Sequence, residues 1–469
     1  MGKAKIEQEK PLDKAIQNNC PIPDFFNNEY IDFSKYVIST RACPSLVDGF
    51  KVGARKIMHA AFNGGTKNGA TVKLLNLSGD TMKLSLYPHG DASLNSTIIT
   101  MSQDFNDNIN PLTIEGQYGS LRSQTASSPR YLYVKLSKYA NLVYKTDIEL
   151  VDYVFDEGEY LEPKYYLPII PTVLTSRNIG MAPGYRFSTM SYNPIDIIDC
   201  CIASLTGKKL PMLRPFVRGI KNENWKYVIN ENVTYWENRG SWVYDLKKDR
   251  MHIYDLPYDM EFDVFEKLLN KYLENGYIKD WFNYSENDTI HYEIVFDKGK
   301  LKKEVGKNDT TIPNKFKLVK RVPDDQLYVI DENGKVKHFN NAKDLIVYFV
   351  NFRLSIYNKR KSRMLDLLKT KLEQNSELAK FISLIITNKL KINNRPKNDI
   401  VADMKSYSLN QSLINTPISK LTKEEYEALL KENESIKNNI SYIESTTIED
   451  MYLNDLKNLK KEIKKDFEQ

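Results

Sequence analysis

Tyr426, Leu429, Asn433, Ile436, Ile440 and Ile443 follow one another in alternating steps of three and four. That spacing is the a/d seam of a coiled coil, and a stripe of this kind is stable only against another long helix. A second charged helical run carries Met364, Leu368 and Leu372 on one side. The chain must therefore fold, in its last third, around two long helices. Asn433 is the lone polar residue on the seam, where it sets register or orientation. Thr422 with Glu425, and Thr446 with Glu449, have the capping-box spacing of two helix starts. Between the long helices, NNRPKNDIVADM and NQSLINTP predict a small helical cap, so the whole reads as a coiled arm ending in a knob. Such a shape suits dimerisation or a gate.

The remaining length demands other cores, since 469 residues exceed what one core usually holds. We expect a mobile N-terminal arm over 1–27, a mixed domain of helices and turns over 28–150, an α/β module over 151–340 and the coiled-coil region over 341–469. In the second of these, HGDASLNSTIITMSQ predicts a helix with Asp91 as its cap and Leu94, Ile98 and Met101 on its buried face. In the third, HYEIVF and LYVIDENGKVKHF predict strands, with Asn333 and Gly334 marking a tight hairpin. The fold class is thus mixed α/β (α+β). No apolar run approaches the roughly 20 residues of a membrane span. The opening MGKAKIEQEKPLDK lacks the apolar core of a secretory signal. Cys20, Cys43, Cys200 and Cys201 form no CxxC pair, so reduced cysteines and a cytoplasmic location are expected. The net charge of +6 permits a polyanionic partner without requiring one.

Candidate chemistry concentrates in the second domain. SSPRYLYVKL places Arg130 directly before Tyr131 and follows them with an alternating, strand-like run. A free tyrosine has a pKa near 10, so a nucleophilic role needs a cation or base nearby, which Arg130 can supply; taken alone, a packed structural tyrosine is the ordinary reading. RACPSLVDGFKVGARK holds Arg41, Lys51, Arg55 and Lys56, with Gly49 and Gly53 for close backbone approach, either a phosphate-contacting surface or a solvated basic face. The YPHGD turn puts His89 ahead of a helix start that can meet a phosphate, or leaves it a structural histidine. There is no Walker-type GxxxxGK[ST], no convincing acidic metal cluster and no closely spaced histidine pair among positions 59, 89, 252, 291 and 338. ATP and metal binding are then expected from another chain.

In order, RACPSLVDGFKVGARK, YPHGDASLNSTI, EGQYGSLRSQTASSPRY and YYLPIIPTVL resemble the DNA breakage-reunion core of type IIA DNA topoisomerases. LPYDMEFDVFEKLL, YNKRK and TTIEDMYLNDL resemble the tower and C-gate of that family, so the likeness runs from about residue 28 to the end. The form most similar is the separate medium subunit of tailed phages, with wording near the eukaryotic enzyme. The resemblance implies a winged-helix domain, a tower and a coiled-coil C-gate. It implies Tyr131 as the nucleophile of a 5′-phosphotyrosine link, Arg130 at the scissile phosphate, and Arg41, Lys51, Arg55, Lys56 and His89 lining the cleavage site or gripping DNA. Met181 takes the place of the isoleucine that wedges between bases. Val52 and Lys56 depart from the family's usual proline and arginine.

Further implications are double-stranded DNA as substrate, a homodimer through the C-gate, and a partner subunit that supplies ATP hydrolysis and magnesium through its Toprim fold. Neither the gyrase wrapping domain nor its QRRGGKG-like box appears before KKEIKKDFEQ, so relaxation, decatenation and unknotting are the expected activities. Two rivals remain open: an architectural DNA-binding dimer that kept the fold and lost cleavage, and a tyrosine recombinase, which would link to the 3′ end.

Overall fold

The computed structural model of the chain describes residues 22–230, 233–286, 289–307, 310–324 and 326–467. Cys20 and most of the expected N-terminal arm lie outside the described residues; from Ile22 the chain is helical. Two compact units emerge, one of Met1–Val350 with Leu456–Gln469, the other of Asn351–Asp455.

In the first unit the helical segment 22–42 ends in a π-type turn, Ile38–Ala42, that carries Arg41. Three helices follow: α1 (Val52–Asn63), α2 (Leu74–Leu84) and α3 (Asp91–Ser102). Each turns one face inward, with Ile57, Met58, Ala60 and Ala61 from α1, Leu74 and Leu77 from α2, and Leu94, Ile98 and Met101 from α3 buried. The α3 helix takes its cap one residue earlier than expected: Gly90 is the N-cap and Asp91 lies in the first turn, its carboxylate accepting from Asn95 at 3.3 Å. The sheet beside these helices orders β1 (Val72–Lys73), β3 (Tyr133–Leu136) and β2 (Leu112–Glu115) antiparallel, with β3 central. Alternation decides its faces, since Leu132, Val134 and Leu136 are buried while Tyr133 is exposed. Three helices against a small antiparallel sheet make a winged helix, and the β2–β3 hairpin is its wing.

Two further hairpins, β4 (Tyr153–Asp156) with β5 (Glu159–Pro163) and β6 (Asn178–Ala182) with β7 (Tyr185–Thr189), lead to helix α4 (Pro194–Leu205), where Cys200 and Cys201 are both buried. Beyond it β8 (Trp225–Asn230) and β9 (Val233–Arg239) form one sheet with β14 (Val319–Pro323). A four-stranded sheet orders β10 (Ser241–Asp245), β11 (Arg250–Asp255), β13 (Tyr292–Val295) and β12 (Asp280–Asn283). Helix α5 (Phe262–Glu274) covers it, burying Phe265 and Leu269 against Met251, Ile253, Tyr292 and Ile294. The expected hairpin near Asn333 pairs β15 (Leu327–Ile330) with β16 (Val336–Phe339). Its connection is longer than a tight Asn-Gly turn because the Asp331 carboxylate accepts from the N–H groups of Asn333 and Lys335 at 2.9 and 2.8 Å, organising a loop over 331–335. Instead of joining the neighbouring sheets, β15 reaches the segment that leads into α1 through a bridge from Ile330 to Ser45.

Helix α6 (Ala342–Ile386) runs from the first unit into the second. Inside the second unit it lies antiparallel to α8 (Lys423–Ser445), whose buried positions are Leu429, Asn433, Ile436, Ile440 and Ile443. Asn433 donates to Ser376 at 3.4 Å across the seam, and Lys371–Glu432 and Lys369–Glu444 flank it. The cap between them includes α7 (Lys397–Ser406) and has its own core of Phe381, Leu390, Ile400, Met404 and Leu409. Thr422 caps α8 through the Glu425 N–H at 3.2 Å. For α9 (Ile448–Phe467) the cap is Thr447, whose hydroxyl accepts from the Asp450 N–H at 3.1 Å, one residue later than the Thr446–Glu449 spacing predicts.

Candidate functional site

Arg130 and Tyr131 do not lie in the strand. Pro129, Arg130 and Tyr131 form one 3-10 turn, with the Tyr131 N–H donating to Ser128 O at 3.0 Å and the Leu132 N–H to Pro129 O at 3.2 Å. The proline favours this turn, because its fixed φ suits the first position of a helical turn and its missing N–H costs nothing there. Leu132, fully buried, anchors the end of the turn, and β3 starts after it. Both candidate side chains therefore face solvent: Tyr131 is 68% exposed, and Arg130 is exposed with no side-chain hydrogen bond or ion pair among the described residues. Gly116 at the base of the wing requires its glycine, with φ +121° and a Cβ position only 2.9 Å from Leu132.

A separate open cleft of about 910 Å³ gathers Arg41, Lys51, Lys56 and His89 with the hydroxyl face of α3, Ser93, Ser96, Thr97 and Thr100. Arg41 Nη2 meets His89 Nε2 at 3.2 Å. A guanidinium has only donors, so His89 Nε2 is the acceptor in this contact. Tyr87 packs edge-on to the His89 ring at 5.4 Å and is itself held by Ser93 at 2.9 Å. Burial draws the Lys51 ammonium below its ordinary range, opposed by Cys43, and the same burial pushes the Cys43 thiol up to about 12. Lys51 Nζ donates to the Ile179 carbonyl at 3.3 Å, tying the β6–β7 hairpin to the cleft. That hairpin also needs Gly180, where a Cβ would fall 2.3 Å from Ala42 O. At its exposed tip, Met181 is 80% accessible and faces Arg186 in register.

Two expected DNA contacts turn inward. Arg55 is buried and forks onto Asp48, Nε to Oδ2 at 2.7 Å and Nη2 to Oδ1 at 3.0 Å. Burial pulls its guanidinium down, and Asp48 more than compensates. Lys56 borders the cleft, yet its ammonium is held by Glu162 at 2.8 Å and Ser85 O at 2.6 Å. These two residues organise the domain, and the polar groups left to face the cleft are the cations Arg41 and Lys51 with the His89 imidazole. Nothing local in the sequence marks the difference: Glu162 is 106 positions away from its lysine.

Tyr131 is not among the residues lining the cleft, so one chain presents the phenol and the basic groove as distinct surfaces. Sequence spacing also hides a histidine pair: β11 and β13 bring His252 Nδ1 and His291 Nε2 to 3.3 Å, and neither lines the cleft. No group of three or more His, Cys, Asp or Glu side chains able to hold a metal occurs among the described residues. No described helix is long and apolar enough to cross a membrane.

The family model for the A-type subunit of DNA gyrase/topoisomerase IV matches residues 41–461. The chain is 30% identical to a mitochondrial DNA topoisomerase 2 of Dictyostelium discoideum over 98% of its own length and 36% of the relative's. It is 29% identical to DNA topoisomerase 2 of Arabidopsis thaliana over 81% of its length and 26% of that protein. It spans about a quarter to a third of these relatives. The crystal structure of the Plasmodium falciparum topoisomerase II DNA-binding, cleavage and re-ligation domain superposes with a TM-score of 0.82 at 27% identity, covering 94% of this chain and 64% of that one.

Proposed function

The chain belongs to the family of DNA gyrase/topoisomerase IV A-type subunits, and from that premise we propose that it is the DNA-cleaving chain of an ATP-dependent type IIA topoisomerase. The observation that carries this reading is the pre-formed Pro129–Tyr131 turn, which presents an exposed arginine and phenol in consecutive positions where the wing of a winged helix enters β3. The Tyr131 oxygen attacks a backbone phosphorus of DNA, the phenolic proton passes to a base, and the bond to the 3′ oxygen breaks. The 3′ oxygen takes a proton, leaving a 3′-hydroxyl and a 5′-phosphotyrosine. Arg130 steadies the charge that grows on the phosphate oxygens. Resealing reverses these steps after a second duplex has passed.

Arg41 and His89 grip the backbone in the cleft, and Met181 wedges between bases from the β6–β7 tip. Cleavage of both strands takes two tyrosines, hence a homodimer. Magnesium and ATP enter through a partner polypeptide with Toprim and ATPase domains, and the complex works where DNA is exposed in the cytoplasm. Relaxation, decatenation and unknotting are its activities.

The test combines this chain with that partner, supercoiled plasmid and magnesium, followed by a detergent quench. Protein linked to DNA 5′ ends is expected from the wild type and not from Tyr131→Phe. Intact DNA binding without adduct from either would support an architectural dimer; a 3′ link would overturn the polarity.

A further inference from the structure

The loop that carries Arg130 and Tyr131 has almost no apolar anchor of its own. Between Gly116 and Ser128 no residue is fully buried, and the segment closes on itself by polar contacts: Ser127 N–H to Gln117 O at 2.9 Å, and Ser120 with Ser123 through paired backbone bonds of 2.8 and 3.2 Å. From the α3 side, Gln103 donates to Tyr118 O at 2.6 Å. The other attachment is Arg122. Its Nη1 donates to Pro257 O at 2.8 Å and Met260 O at 3.1 Å; its Nη2 donates to Leu256 O at 2.7 Å and to the Asp255 carboxylate at 3.0 Å. The reverse contacts complete a clasp, with Phe262 N–H donating to Arg122 O at 3.0 Å and Gln124 N–H to Glu261 Oε2 at 2.9 Å. All of these partners belong to one turn, residues 255–262, between β11 and α5.

A planar fork satisfied at four acceptors fixes orientation as well as place, which a lysine ammonium does not. Both members of the ion pair are nearly buried, with side-chain exposures of 11% and 13%, so water does not compete for the contacts. We propose that Arg122 is a positioning residue for Tyr131: by clasping the wing loop to the 255–262 turn, it sets where the Pro129–Tyr131 turn stands when a DNA phosphate arrives. The inference rests on Tyr131 being the nucleophile. It makes the end of β11 part of the cleavage apparatus.

The experiment uses the full chain with its ATPase/Toprim partner. Arg122→Ala, Arg122→Lys and Glu261→Ala are compared with wild type and Tyr131→Phe. Three quantities are read: duplex affinity by anisotropy in EDTA, the rate of 5′-adduct formation with magnesium, and the melting curve. A misplacement of about 1 Å costs about 100-fold in rate, so Arg122→Ala is expected to slow adduct formation about 100-fold with affinity changed less than about twofold. Arg122→Lys restores part of the rate, and Glu261→Ala, which loosens the clasp without stranding a buried charge, gives a smaller slowing of the same kind. If Arg122→Ala does not fold, Glu261→Ala decides. Adduct formation at the wild-type rate in the folded variants overturns the proposal, as does a parallel fall of affinity, rate and melting point. Absence of adduct from wild type refutes the underlying reading instead.

Discussion

Replacing Arg55 separates a fold-holding cation from a DNA-binding one. Asp48 is completely buried, and its carboxylate accepts four strong hydrogen bonds: from Phe50 N–H at 3.1 Å, Tyr166 N–H at 3.0 Å, and Arg55 at 2.7 and 3.0 Å. Arg55→Ala removes two of these and leaves the charge without its counter-ion. Breaking a buried pair from one side costs about 3–5 kcal/mol, a large share of the roughly 5–15 kcal/mol that holds a domain together. Arg55→Lys keeps the charge and loses the fork, at about 1.5–3 kcal/mol for one charged hydrogen bond. Urea unfolding followed by circular dichroism, with duplex binding measured on the folded fraction, reads both effects. The expected order of stability is wild type, Arg55→Lys, Arg55→Ala, with near-normal duplex affinity in whatever remains folded. An Arg55→Ala chain that unfolds with the wild type while losing affinity would refute the inward assignment and restore Arg55 to the DNA surface.

Two further outcomes follow from contacts near the cleft. Burial raises the Asp107 carboxyl to about 6, against hydrogen bonds from Ile109 N–H and Thr175 and the charge of Arg218. The native state therefore keeps a proton that the unfolded chain releases from about pH 4, and stability falls as pH rises from about 4 to 6; Asp107→Asn should flatten that fall, and urea midpoints at pH 4.5 and 7.5 with an unchanged difference would contradict it. Gly180→Ala forces a backbone clash with Ala42 and should cost about 1–3 kcal/mol, shifting the Met181 tip; a fluorescence-transfer measurement of duplex bending is expected to show a smaller bend, and wild-type bending with wild-type melting would rule this out.

Features built from short-range rules were legible in the sequence. The seam from Leu429 to Ile443 is buried in the positions its spacing requires, because helix periodicity is a local property. The three inward residues of α3 were equally plain. The adjacency of Arg130 and Tyr131 was visible, whereas their turn was obscured by the alternating residues beyond it, and Pro129 was the available signal. The roles of the cations were not legible. Arg41 and Arg55 are chemically the same residue, and only the fold brings His89 to one and Asp48 to the other. Arg122 escaped notice for the same reason, its acceptors being main-chain oxygens more than 130 positions away. Carbonyls leave no trace in a residue pattern.

The inward pairing of Arg55 and Lys56 also bears on thermodynamics. Affinity for duplex DNA falls with salt because each phosphate neutralised releases condensed counter-ions, with a logarithmic slope of about −0.9 per contact. A cation already neutralised by Asp48 or Glu162 displaces none. Titration with potassium chloride should therefore report a shallower slope than a census of the basic residues in RACPSLVDGFKVGARK suggests, by about two contacts per chain.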